Sequence, residues 1–175
     1  MKILIAYASV TGTTTECVRL LRHFLQRRKP DVANLMTDTP DLSLYDTVIV
    51  GGPVRHAKLH PTVLKFLRDH TEELKAKRLG CFIVCGFADE AEEQIDRIFS
   101  KDLKSLREHA FDVVSFGGTL DATRQKSWKD KLYVRFMRDT ITDTGDGDAD
   151  EDGEFTRVLP TINPDTISRF ASKLN

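Results

Sequence analysis

A chain of 175 residues is the size of one domain, and at 40% hydrophobic and 30% charged it can bury a real core beneath a well-solvated surface. Its 26 Lys and Arg nearly balance 27 Asp and Glu, so no global field gathers nucleic acid. There is no run of about 18 apolar residues to span a membrane. The balance hides an asymmetry: positive charge collects at Arg27-Arg28-Lys29 and between Arg124 and Arg138, whereas Asp143 to Glu154 is strongly acidic.

In chain order, Met1-Lys2 leads straight into the apolar run Ile3–Ala8, so no signal peptide is expected. A hydroxyl-rich loop, Ser9-Val10-Thr11-Gly12-Thr13-Thr14, follows. Then Cys17, Val18, Leu21, Phe24 and Leu25 repeat at helical spacing, with Thr13 and Glu16 placed as a capping-box pair and Pro30 closing the segment. Val32–Met36 reads as a strand nearer an edge. Thr47–Val50 is a β-branched run, and Pro61 suits the first position of a helix carrying Val63, Leu64 and Leu67. Cys81–Val84 is a further apolar run, and Ile95, Ile98, Phe99, Leu103 and Leu106 mark a third helix that Asp89 is placed to cap. Val113–Phe116 ends in Gly117-Gly118. Asn163-Pro164 opens a last helix with Ile167, Phe170, Ala171 and Leu174 on one stripe.

Near-continuous apolar runs suit parallel strands covered on both faces. Alternating with helices, they predict an α/β fold: one doubly wound parallel sheet of five strands in the order 2-1-3-4-5, its ligand at the strand carboxyl ends. The three cysteines, Cys17, Cys81 and Cys85, include no CxxC pair. Cys81 and Cys85 fall on one face of a strand, where they read as core residues of a chain at home in a reducing cytoplasm. Between Asp121 and Glu154 the alternation fails. That stretch is too long for an ordinary connection and is expected to be an insertion in a single domain spanning residues 1–175. Its first half (Trp128, Leu132, Tyr133, Phe136, Met137, Ile141) is spaced for a helix, and its acidic second half reads as a solvated loop.

The first loop carries the sharpest chemistry. A phosphate monoester needs several donors converging on it. Ser9, Thr11, Thr13 and Thr14 supply hydroxyls, and Gly12 lets the backbone approach. The following helix adds free N–H groups and about half a unit of positive charge. The loop contains no Lys or Arg, which favours a permanently held phosphate over one to be cleaved. The plainer alternative is a Ser/Thr-rich turn closed by a capping box. Two other motifs fail. Asp148 to Gly153 copies the start of a calcium loop, but its twelfth position is Leu159 instead of Glu. A GxGxxG dinucleotide loop is absent, since Gly12 stands alone.

Ser9-x-Thr11-Gly12-x-Thr14 after the first strand resembles the FMN-phosphate loop of the flavodoxins, and the strand–helix layout matches theirs over nearly the whole chain. The resemblance implies a flavodoxin-like fold, FMN as cofactor, and a flavin ring enclosed by the loops after the third and fourth strands. By position those hold Pro53, Val54, Arg55 and His56, and Gly86, Phe87 and Asp89. The third-strand loop lacks the aromatic residue common in the family and carries Arg55, His56, Lys58 and His60. A cation beside the pyrimidine edge would stabilise the reduced flavin anion. Trp128-Lys129-Asp130 with Arg135-Phe136-Met137, in a basic insert, is similar to the flavodoxin-like menaquinone-dependent protoporphyrinogen dehydrogenases.

That narrower likeness implies a porphyrinogen substrate, a quinone acceptor and a cytoplasmic protein at the inner membrane face. Its contact would run through residues 124–141, where an apolar stripe lies beside Lys131, Arg135 and Arg138. The alternative is a small electron carrier that passes electrons to a redox protein and has no substrate of its own. A phosphoacceptor signalling domain would need acids where Ser9 and Gly51-Gly52 stand.

Overall fold

The computed structural model describes residues 1–86, 91–119 and 161–174. The expected alternation is present. Strand β1 (Ile3–Tyr7) leads to helix α1 (Thr13–Phe24) and β2 (Asp31–Asn34), and β3 (Thr47–Arg55) follows a short 3₁₀ turn. A two-residue strand, β4 (Lys58–Leu59), precedes α2 (Pro61–Asp69), α3 (Thr71–Lys75) and β5 (Arg78–Val84). Next come α4 (Ala91–Ile98), α5 (Lys104–His109), β6 (Asp112–Ser115) and α6 (Pro164–Ser172).

The parallel strands lie in the order β2-β1-β3-β5-β6. This is the anticipated 2-1-3-4-5 sheet, to which β4 adds a sixth strand paired antiparallel to β3. Every residue of β1 is buried, because helices cover both faces. One face packs α2 to α5 over Leu4, Val48, Val50, Leu79 and Cys81. The other packs α1 and α6 over Ile3, Ile5, Ile49, Phe82 and Phe116. Each such side chain, taken fully from water, contributes about 1.5–3 kcal/mol. On the second face Phe82 stacks on Phe116 with centroids 4.5 Å apart, and Phe170 of α6 meets Phe116 edge-on.

Two expectations about helices need correction. Thr13 and Glu16 form no capping box: the residue that caps α1 is Gly12, with φ 91°, and no side chain caps the helix. The third helix is not continuous either. It ends at Ile98, where Ser100 is extended and Lys101 takes φ 52°, and α5 restarts beyond a 3₁₀ turn. The buried positions Ile95, Phe99, Leu103 and Leu106 are nevertheless those the spacing named. Asp89 and the whole 121–154 insertion lie outside the described residues. The cysteines are free and buried, and burial pushes the Cys17 and Cys81 thiols up to about 12, as core packing requires.

Candidate functional site

The chain leaves β1 toward α1 and β2 on one side and enters β3 on the other, so the switch point of the sheet lies at the carboxyl ends of β1 and β3. The loop Ser9–Gly12 sits there. It is anchored from below, since the Ala8 N–H donates to the Gly51 carbonyl at 3.3 Å. Gly12 adopts φ 91°, and no described residue lies within 4 Å of the position a Cβ would take. The backbone conformation is what demands glycine there, and the glycine leaves an open approach to the end of α1. Gly12 has no side chain to cap this 12-residue helix, so among the described residues no side-chain cap competes with an anion for its first-turn N–H groups.

The four hydroxyls of the loop fare differently. Thr13 and Thr14 are buried, and Thr13 Oγ1 shares a hydrogen bond of 3.1 Å with Thr119 Oγ1. Thr11 is half-buried, as is Val10. Ser9 Oγ is buried and has no hydrogen-bond partner among the described residues. An orphaned buried hydroxyl costs about 1–3 kcal/mol, a penalty that an acceptor placed against it removes.

Pro53, Val54 and Arg55 were expected in a loop but belong to β3. β1 stops pairing with β3 at Gly51, so Pro53, which has no N–H to donate, is accommodated on the unpaired side beyond it. Val54 pairs with Leu59 and Arg55 with Lys58, closing a hairpin on the two-residue turn His56-Ala57. Both turn residues have positive φ, 49° and 59°, the signature of a mirror-image turn that suits a twisted hairpin. Neither is Gly or Asn, which is why the sequence concealed it. At the base of the hairpin, the Thr62 N–H donates to His60 Nδ1 at 3.3 Å, so a histidine caps α2. Burial, and then the positive charge of Arg55, hold the His60 pKa below its ordinary value.

Gly86, half-buried, directly follows β5 and Cys85 at the same edge of the sheet, whereas Phe87 and Asp89 lie outside the described residues. A fourth segment joins the site that the sequence had not offered, the Gly117–Thr119 turn after β6. The Cys85 N–H donates to the Gly117 carbonyl at 3.1 Å, and a Cβ on Gly118 would sit 2.9 Å from the Cys85 carbonyl carbon. With the Thr13–Thr119 bond, this turn ties the first loop to the end of β5. The Gly117-Gly118 pair was its only available signal.

Comparison with known proteins agrees with this geometry. Residues 4–148 match the family model of the flavodoxin domain. The chain belongs to the flavodoxin family. Among solved structures it is similar to a flavodoxin from Fusobacterium nucleatum bound to flavin mononucleotide, at 16% identity and a TM-score of 0.56, over 99% of this chain and 96% of that one. It is also similar to the flavodiiron core of Flv1 from a Synechocystis species, at 15% identity and a TM-score of 0.51, over 81% of this chain but 36% of that one. At such identities these likenesses establish the shared flavodoxin fold. A comparison with curated proteins finds no match.

Proposed function

We propose that this flavodoxin-family chain, folded as a single domain, binds one FMN and acts as an oxidoreductase. When bound, the flavin supplies reversible transfer of electrons and protons at its ring. Ser9 to Thr14 would hold the phosphate. The hairpin end Pro53–His56 and the Gly86–Asp89 segment would flank the ring, with Phe87 available as a stacking partner. The observation that carries the reading is Ser9 Oγ, buried without a partner beside an uncapped helix N-terminus. A phosphate oxygen is the acceptor that satisfies both. Within the site, Gly12 keeps the approach open and Thr119 steadies Thr13, while Arg55 would bring a positive charge toward the bound ring.

The finer reading is a protoporphyrinogen dehydrogenase that passes electrons to a quinone at the inner face of a membrane. It rests on the similarity of Trp128-Lys129-Asp130 and Arg135-Phe136-Met137 to that group and on the basic hairpin. Residues 124–141, whose sequence sets an apolar stripe beside Lys131, Arg135 and Arg138, would supply the contact; among the described residues no helix is long and apolar enough to cross a membrane. The second reading, a carrier that hands electrons to a protein partner, is favoured by the end-to-end match to a free-standing flavodoxin.

The purified or reconstituted protein is expected to bind FMN one to one and to prefer it to riboflavin, which lacks the phosphate. Titration of apoprotein with both flavins checks this. Equal affinities would remove the phosphate-loop assignment. Oxidation of a porphyrinogen with a menaquinone acceptor, followed by porphyrin fluorescence, separates enzyme from carrier.

A further inference from the structure

The turn after β6 touches three separate parts of the molecule. Toward the first loop, Thr119 Oγ1 shares its 3.1 Å hydrogen bond with Thr13 Oγ1. Toward the end of β5, the Gly117 carbonyl accepts from the Cys85 N–H at 3.1 Å. Toward the returning chain, the Gly118 N–H donates to the Thr161 carbonyl at 3.3 Å. Nearby, the Phe116 carbonyl accepts from the Asn163 N–H at 2.8 Å. Asn163 in turn caps α6, its Oδ1 accepting from the Thr166 N–H at 3.0 Å. Residues 120–160 leave after Thr119 and come back at Thr161, so the Gly118–Thr161 and Phe116–Asn163 bonds form the neck of that stretch.

Two glycines leave this turn no slack. A Cβ on Gly117, which takes φ 75°, would run into the Thr161 carbonyl oxygen. One on Gly118 would press on the Cys85 carbonyl and the Gly86 nitrogen, at 2.9 to 3.0 Å. The turn is therefore wedged between the return segment on one side and the base of the Gly86–Asp89 segment on the other. Close-packed groups do not absorb a displacement, so a shift at Thr119 is passed on to its neighbours. The hydroxyl it meets belongs to the first residue of α1, and the Thr13 side chain is itself buried. Whatever fixes Thr13 fixes the direction of the first-turn N–H groups.

We propose that Thr119 is a positioning residue for the cofactor phosphate and that, through it, phosphate occupancy is felt at the neck of residues 120–160. This rests on the flavin reading, since the phosphate held by Ser9 to Thr14 is that of FMN. Acting through Thr13, Thr119 holds the first turn of α1 in the orientation that suits an anion, so less ordering is needed when FMN arrives. Such coupling is reciprocal. The neck bonds hold Thr119 on Thr13 and so tighten FMN; bound FMN stabilises the neck bonds by the same factor. The two ends of the inserted stretch are therefore held more firmly in loaded than in empty protein.

The test uses full-length protein with FMN and with riboflavin, the same ring without a phosphate. Each flavin is held at the same multiple of its Kd, so that general stabilisation by a ligand cancels. Hydrogen exchange is followed at the Gly118 and Asn163 amides, which make the neck bonds. FMN is expected to slow both about fivefold more than riboflavin does. Thr119→Val keeps the shape and removes the hydroxyl. It should weaken FMN about fivefold, leave riboflavin affinity unchanged and abolish the extra protection at both amides. Thr119→Ser should restore both. Thr13→Val breaks the same bond from the other side, and adding Thr119→Val to it should cost nothing more. A residue that only packs would lower the affinity for both flavins together and leave the FMN-dependent protection in place. Either of those results overturns the proposal. Failure of the flavin reading looks different: equal wild-type affinities for the two flavins remove the phosphate assignment and the coupling with it. A preference for FMN with a neck that protects equally under both flavins removes the coupling alone.

Discussion

The first loop and the β3–β4 hairpin stand on either side of the switch point and solve opposite problems. Ser9 to Thr14 is uncharged and partly buried, with one glycine in the left-handed region and one orphaned hydroxyl. The hairpin bears Arg55, His56, Lys58 and His60, and places two side-chain-bearing residues in that same strained region. Neutral donors hold a fixed anion without attracting loose counter-ions, whereas surface cations act at a distance and are screened by salt. On the proposed function, the loop therefore sets how tightly the cofactor is held, and the hairpin sets how it behaves and what approaches it.

The largest expected effect breaks the loop. Ser9→Ala removes a hydroxyl that has no partner in the protein alone, so the apoprotein should gain about 1 kcal/mol of stability. The same change should weaken FMN by about 1–3 kcal/mol, because the ligand loses a donor. Denaturation of apoprotein and flavin titration, run side by side, should move in opposite directions. Losses in both would mean that Ser9 is a packing residue, and the assignment of its hydroxyl to phosphate would go.

A smaller effect sharpens the role of the hairpin. A charge about 4 Å from the ring would be worth on the order of 4 kcal/mol at an effective dielectric near 20, but Arg55 is half-exposed and solvent screening cuts that severely. Arg55→Glu should still lower the bound flavin potential by about 20 mV or more, equivalent to roughly 1 kcal/mol for a two-electron couple. FMN affinity in the oxidised state should change far less. Redox titration in low salt measures both. A potential that does not respond would mean that the Arg55 charge does not reach the ring.

The two regions also differed in how far they could be read in advance. The sheet order, the buried faces of α1, α2 and α6, and the first loop all follow from local patterns, namely apolar runs, helical spacing and the glycine after β1. The hairpin does not, because its turn residues, His56 and Ala57, are not the ones such turns prefer. Their positive φ is imposed by the pairing of Val54 with Leu59 and Arg55 with Lys58. The break of the third helix at Lys101 escaped for the same reason, since a charged residue in left-handed backbone leaves no trace in apolar spacing. Thr119 is 106 residues from the hydroxyl it meets, a distance that local patterns do not bridge.

The smallest effect tests whether charge on the hairpin reaches its own foundation. His60 caps α2 by accepting from the Thr62 N–H at Nδ1, which only the neutral ring with its proton on Nε2 can do. Its folded-state pKa lies below the ordinary 6.5, owing to burial first and Arg55 second. The unfolded chain therefore takes up the proton first as pH drops. The cap contributes fully above about 6.5, and its contribution is lost as pH falls through the lower folded value. Asp41, Asp46 and Asp102 have their carboxyls held below the usual range, so their losses belong to more acidic solution, under about pH 4. The two windows are separable. Hydrogen exchange at Thr62 should thus accelerate between neutrality and about pH 5, relative to amides in the middle of β1. His60→Asn, whose side chain caps without titrating, should abolish that difference. Arg55→Glu should make that acceleration smaller and end it at higher pH, because removing the neighbouring cation lets the folded-state pKa rise toward the unfolded value. An acceleration of unchanged size and range in Arg55→Glu would show that burial alone sets the titration of His60.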